Sequence, residues 1–156
     1  MSEPVPTGIE GAWLYPLKII PASGGPVLRM LRNEPGKPGY LSQLGEIYFS
    51  EIMPGCVKAW KLHEKQKQQF AVPVGQILLA LCDARTASPT FGQLASLRLG
   101  RPDNYNLLII PPGIWYGFKA MSQTPALICN CADMPHDPTE ARRLPVDSER
   151  IPYSWE

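Results

Sequence analysis

This chain has two histidines, and only His63 stands where a titratable ring could work on a bound molecule. It ends an alternating stretch, Ala59-Trp-Lys-Leu-His63, just before the very polar turn Glu64-Lys-Gln-Lys-Gln68. Side chains two apart on a strand share a face, so Lys61 and His63 point the same way, at the mouth of a barrel if the strand belongs to one. A cation beside an imidazole favours the neutral ring, and a neutral imidazole is a base that can take a proton. The same residues also fit a solvated histidine at a strand end. His136, inside Pro135-His-Asp-Pro138, reads as part of a loop and helix cap.

A second candidate region is Ile110-Pro-Pro-Gly-Ile-Trp-Tyr-Gly-Phe118, where a proline-glycine turn re-enters a strand rich in aromatics. Aromatics in a β-protein are usually core, and Trp115 and Phe118 are assigned there. Tyr116, taken to face away from both, is the pocket candidate.

The elements that must position these residues are short. Eighteen prolines and thirteen glycines divide the chain into runs of a strand's length. Strands are expected at Glu46 to Ile52, Cys56 to His63, Gln69 to Val74, Ile77 to Cys82, Leu94 to Leu99, Asn106 to Ile110, Trp115 to Ala120 and Ala126 to Cys131. Ile77 to Leu81 and Leu107 to Ile110 are apolar throughout, as central strands of two packed sheets would be. One helix start is expected at Asp137-Pro-Thr-Glu140, where Asp137 can cap, Pro138 fits the first helical position and Glu140 can complete a capping box. The expected organisation is a single all-β domain over 1–156: an arm and edge strands in 1–40, a core in 45–132 and a C-terminal segment in 133–156. The first ten residues and Gly36 to Tyr40 are turn-rich enough to form mobile arms or loops.

Composition narrows the functional classes. A net charge of +1, with basic residues spread among acids, lacks the footprint of a nucleic-acid binder. No run approaches the ~20 apolar residues of a membrane span, and the first residues do not resemble a signal peptide, so the expected location is the cytoplasm. Cys56, Cys82, Cys129 and Cys131 lie in apolar runs without a CxxC pair, and are read as small buried hydrophobes rather than a redox or metal site.

Several segments together resemble one family. Gly75-Gln-Ile-Leu-Leu-Ala-Leu-Cys-Asp-Ala-Arg85, followed by Ser88-Pro-Thr-Phe-Gly92, is similar to the core stretch of dTDP-4-dehydrorhamnose 3,5-epimerases. Pro112-Gly-Ile-Trp-Tyr-Gly-Phe118 resembles the family's proline-glycine-aromatic turn, and Leu62-His63 its Leu-His pair. The resemblance runs from about Gly45 to Trp155. It implies a cupin-type jelly roll, a homodimer, and a nucleotide-linked sugar bound in the barrel mouth.

The resemblance also implies roles. In that family a histidine oriented by an aspartate removes a proton beside the sugar's keto group, a tyrosine returns one on the other face, and no metal or other cofactor takes part. His63 matches the base. Asp147, in Pro145-Val-Asp-Ser-Glu149, falls near the family's aspartate and is the expected orienter. Lys61 and Lys58 are expected to contact phosphate in place of an arginine that here is Trp60, and Gln68 or Gln69 stands at a substrate-binding lysine. Gln69 and Asn130 complete the expected substrate-binding set. Where the family has its catalytic tyrosine, Cys131-Ala-Asp-Met-Pro135 offers Asp133 or Met134, so a returning acid is missing unless Tyr116 has taken that part.

Metal-dependent cupins use two or three histidines and a glutamate. Only His63 and Glu64 correspond, and neighbouring strand residues face opposite ways, so no metal site is expected. The resemblance therefore implies a metal-free sugar-nucleotide epimerase or isomerase. The alternative is an inactive cupin that binds a sugar, a nucleotide sugar or a protein partner.

Overall fold

The computed structural model describes residues 3–156. Its strands are β1 (Val5–Pro6), β2 (Trp13–Pro16), β3 (Ile19–Ile20), β4 (Val27–Leu28), β5 (Glu46–Ile52), β6 (Val57–His63), β7 (Gln68–Val74), β8 (Gln76–Asp83), β9 (Leu94–Gly100), β10 (Asn106–Ile110), β11 (Ile114–Ala120), β12 (Ala126–Ala132) and β13 (Ala141–Arg143). A six-stranded sheet, β1-β2-β10-β7-β12-β5, packs on a five-stranded sheet, β13-β6-β11-β8-β9, while β3 and β4 form a separate hairpin. All pairings are antiparallel, and the result is the cupin-type jelly roll.

Each of the eight expected strands is present to within one residue, with proline or glycine in every break between them except the polar turn Glu64 to Lys67. The two fully apolar runs, β8 and β10, each lie between two neighbours in a sheet. The main core fills the space between the sheets: Ile52, Phe70, Leu108 and Ile128 from one meet Leu79, Leu81, Leu99 and Ile114 from the other. A second cluster lies on the outer face of the five-stranded sheet. There Ile151, Tyr153 and Trp155 of the C-terminal segment cover Trp60, Leu62 and Trp115. Among the described residues no helix is long and apolar enough to cross a membrane.

Several expectations are corrected. No helix follows Asp137: its carboxylate accepts from the Thr139 amide at 2.9 Å and the Thr139 hydroxyl at 2.6 Å, closing a turn, and the chain then enters β13 alongside β6. The residue expected to complete a capping box, Glu140, is instead buried. Phe118 shares a face with Tyr116, as the two-residue period requires, and only Trp115 points the other way. In the N-terminal arm β1 pairs with β2, and the Glu10 amide donates to Thr90 Oγ1 at 3.0 Å. Residues 1–2 of that arm lie outside the described residues. Cys82, Cys129 and Cys131 are buried, but Cys56 is exposed beside the turn that leads into β6.

Candidate active site

Between the sheets lies a cavity of about 460 Å³. One wall comes from the six-stranded sheet and carries Tyr48, Ser50, Phe70, Ile128 and Asn130; the other comes from the five-stranded sheet and carries Lys58, Lys61, Tyr116, Phe118 and Arg143. Strand β5 shows why the wall is polar. Its inward face is Glu46, Tyr48 and Ser50, while Ile47 and Phe49 point outward and are 53% and 64% exposed.

On the second wall three side chains form a line running from the interior to the cavity. Glu140 Oε2 accepts the backbone amides of Lys65 and Gln66, each at 3.2 Å, and Oε1 is bonded to His63 Nδ1. His63 Nε2 meets Tyr116 Oη at 3.1 Å, and the two rings stack 13° from parallel. Tyr116 is itself fixed by the edge-on ring of Phe70.

Burial pushes the His63 pKa down; Glu140 opposes this, and the charges of Lys61 and Arg143 reinforce it, so the ring ends below its ordinary value. Burial alone would raise Glu140, but hydrogen bonds from His63 and from the Lys65 and Gln66 amides outweigh it and leave the carboxyl lowered. The pair at neutral pH is therefore an anionic carboxylate and a neutral imidazole whose Nδ1 carries the proton. Nε2 then has only a lone pair and must accept from the Tyr116 hydroxyl. Burial, followed by the nearby Tyr48 phenol, raises Tyr116, which keeps that proton in place.

The other wall is backed by a chain of amides. The Gln69 backbone amide donates to Asn130 Oδ1 at 3.0 Å; Asn130 Nδ2 donates to Tyr48 Oη at 2.9 Å and to Gln68 Oε1. Gln68 Nε2 donates to Gln66 Oε1 at 2.5 Å, and Gln66 Nε2 to the Met134 carbonyl at 2.6 Å.

The cations at the cavity owe their positions to an irregularity. Tyr116 pairs with Lys61 but Phe118 pairs with Lys58, so β6 has one residue more than β11 over this stretch. That bulge puts Lys58 and Lys61 on the same face although they are three apart in sequence. The backbones approach so closely there that a Cβ on Gly117 would lie 2.5 Å from Ala59 Cβ and 3.0 Å from Trp155. Arg143, opposite Lys61 on β13, adds a third cation. Lys58 Nζ bonds Ser50 Oγ at 3.3 Å and the Glu51 carbonyl at 2.5 Å.

Tyr116, Lys61, Lys58 and Asn130 thus come together at the cavity, with His63 directly behind Tyr116. Asp147 and Gln69 do not. Asp147 is exposed on the turn after Leu144, and the carboxylate behind His63 is Glu140. Gln69 is buried on the outer side of its sheet, its Nε2 donating to the Gly39 carbonyl at 3.0 Å, while Gln68 takes the inner side. Glu64 is exposed and pairs with Arg142 at 2.6 Å, away from the ring. Among the described residues no cluster of three or more His, Cys, Asp or Glu side chains could hold a metal ion. Glu140, Tyr48 and Arg143 are the site residues that the sequence reading missed. Alternation along Glu46 to Ile52 with Ile52 inward would have pointed to Tyr48; nothing local marks Glu140 or Arg143.

The family pattern described as dTDP-4-dehydrorhamnose 3,5-epimerase matches residues 36–156. The chain belongs to that family. Spore coat polysaccharide biosynthesis protein SpsL of Bacillus subtilis (strain 168) is 33% identical over 117 residues, which are 74% of this chain and 77% of SpsL. The probable low-salt glycan biosynthesis epimerase Agl13 of Haloferax volcanii is 38% identical over 107 residues, which are 68% of this chain and 65% of Agl13. The crystal structure of a dTDP sugar isomerase from Desulfovibrio desulfuricans G20 is 56% identical and superposes with a TM-score of 0.92, covering 97% of this chain and 94% of that one. In this chain the histidine is backed by a carboxylate supplied from the turn between β12 and β13.

Proposed function

We propose that this protein is a metal-free epimerase or isomerase of nucleotide-linked sugars, acting beside the keto group of a dTDP-4-keto-6-deoxysugar in deoxysugar or surface-polysaccharide synthesis. The observation that carries this is the Glu140, His63 and Tyr116 line ending at the cavity. A carbonyl acidifies the adjacent C–H enough for a positioned base to remove its proton. Both ring nitrogens of His63 are engaged and its side chain is 5% exposed, so the atom that meets the sugar is Tyr116 Oη. As the carbon's proton moves to Tyr116 Oη, the phenol's own proton passes to His63 Nε2, and Glu140 stabilises the imidazolium that results. The electron pair left on carbon is held as the enolate. Lys58, Lys61 and Arg143 suit the diphosphate of the nucleotide, since cations facing phosphate make strong charge-assisted hydrogen bonds.

Incubation of the purified protein with dTDP-4-keto-6-deoxyglucose in deuterated water tests the reading. Deuterium entering at C3 or C5 is expected, and His63→Asn is expected to slow that entry by about 10²–10⁴-fold. No deuterium at either carbon with several nucleotide sugars would rule out enolising chemistry and return the chain to the class of sugar-binding cupins.

Dimerisation belongs to the same proposal. Strand β5 is a sheet edge with Ile47 and Phe49 outward, beside Leu44 at 50% exposure, and an apolar edge of this kind favours pairing with a second copy. A monomer in light scattering at micromolar protein would count against it.

A further inference from the structure

We propose that Tyr48 is the acid that returns a proton to the sugar, on the face opposite Tyr116. The inference rests on the enolising reading above and adds the residue that makes the reaction an inversion.

Backbone groups fix the direction of each hydrogen bond on this wall without ambiguity. A backbone N–H can only donate, so the Gln69 amide forces Asn130 Oδ1 to be the atom facing it. The amide nitrogen of Asn130 then faces Tyr48, and an NH₂ group only donates, so Tyr48 Oη is the acceptor of that 2.9 Å bond. The far end agrees: the Met134 carbonyl can only accept, which sets Gln66, then Gln68, then Asn130 in the same sense. With its lone pair committed to Asn130, Tyr48 has its own O–H left over. No acceptor among the described residues takes that proton, and Tyr48 lines the cavity.

The opposite wall is polarised the other way. The amides of Lys65 and Gln66 hold Glu140 as an acceptor, Glu140 fixes the proton of His63 on Nδ1, and Nε2 draws the Tyr116 proton away from the cavity. Tyr116 therefore presents lone pairs and Tyr48 presents a proton. The two phenols come from different sheets, Tyr48 from β5 and Tyr116 from β11, so a sugar ring lying between the sheets has a base on one face and an acid on the other. Removing a proton on one face and returning one on the other inverts the carbon. Burial raises the Tyr48 pKa, with Asn130 opposing, which keeps the phenol protonated until it is needed.

In the returning step the Tyr48 O–H bond breaks, the new C–H bond forms from the enolate's electron pair, and the carbonyl is restored. The phenolate left on Tyr48 keeps the Asn130 N–H bond and regains a proton from water. The proton held by His63 leaves to water through Tyr116.

The test is Tyr48→Phe with dTDP-4-keto-6-deoxyglucose in deuterated water, reading deuterium entry and epimer formation separately. Deuterium is expected to enter at close to the parent's rate, because the base wall is intact, while epimer formation falls by about 10²-fold or more. Epimer formation at the parent's rate would overturn the assignment. So would equal loss of exchange and inversion in a variant that melts like the parent, since a returning acid is not required for proton removal. A parent protein that exchanges no deuterium removes the enolising reading and this proposal together; a parent that exchanges and inverts beside a variant that does the same removes Tyr48 alone. Asn130→Asp supplies a second check. It puts a carboxylate oxygen at Tyr48, turns the phenol's proton inward, and is expected to reproduce the split between exchange and inversion; retained inversion counts against the proposal.

Discussion

Two buried carboxylates in the five-stranded sheet and its margin are held in opposite ways. Asp83, at the end of β8, is fully buried with every lone-pair direction answered: Oδ1 by the Arg85 amide at 3.0 Å and Nε at 2.9 Å, Oδ2 by Arg85 at 2.9 Å and by the hydroxyls of Ser88 and Thr90 at 2.6 Å. Burial would raise it, but those bonds together hold it well below the usual carboxylate range. Glu140 is equally buried, yet one oxygen faces an imidazole. A guanidinium never gives up its proton in this setting, so Asp83 can only brace the turn that follows β8. An imidazole can gain and lose one, so Glu140 sits behind a group that can do chemistry. The motif Ser88-Pro-Thr-Phe-Gly92, part of the family resemblance, belongs to the brace; its Ser88 and Thr90 are spent on Asp83.

The sharpest way to break this comparison is Glu140→Gln. The Lys65 and Gln66 amides need an acceptor, so the new NH₂ group turns toward His63, moves the ring proton to Nε2 and reverses the Tyr116 bond. Solvent exchange into substrate is expected to fall by roughly 10²–10⁴-fold with the fold retained. An unchanged rate would mean that the carboxylate does not set the tautomer.

The converse change, Asp83→Asn, is expected to cost about 2 kcal/mol in chemical denaturation, since donors are left without an anion to face. The folded fraction should exchange substrate protons at the parent's rate. A rate loss at full stability would show that the brace and the site are coupled.

The smallest expected effect is in the pH profile. The active form needs a neutral His63, and a lowered pKa keeps the ring neutral further into acid, so the acid limb of the rate should fall below the ordinary histidine value of about 6.5. A limb at or above that value would mean that the ring is solvated or that the pair carries a different proton.

Much of this architecture was legible in the residues. Proline and glycine spacing located the strands of both sheets, and period-two alternation put Lys61 and His63 on one face, because these depend on neighbours a few residues away. The same local reasoning misled at Asp137 to Glu140, where capping-box residues are also the residues of a tight turn, and burial of Glu140 decided between them.

What the sequence alone determined is the β-rich chain, the positions of its strands and the presence of one well-placed imidazole. What only the tertiary structure decided is which carboxylate stands behind that ring, which phenols line the cavity, and which cations share its wall. Glu140 is 77 residues from His63, and Asn130 is 82 from Tyr48. Pairings at such separations follow from strand order, register and two bulges, and no local pattern encodes them.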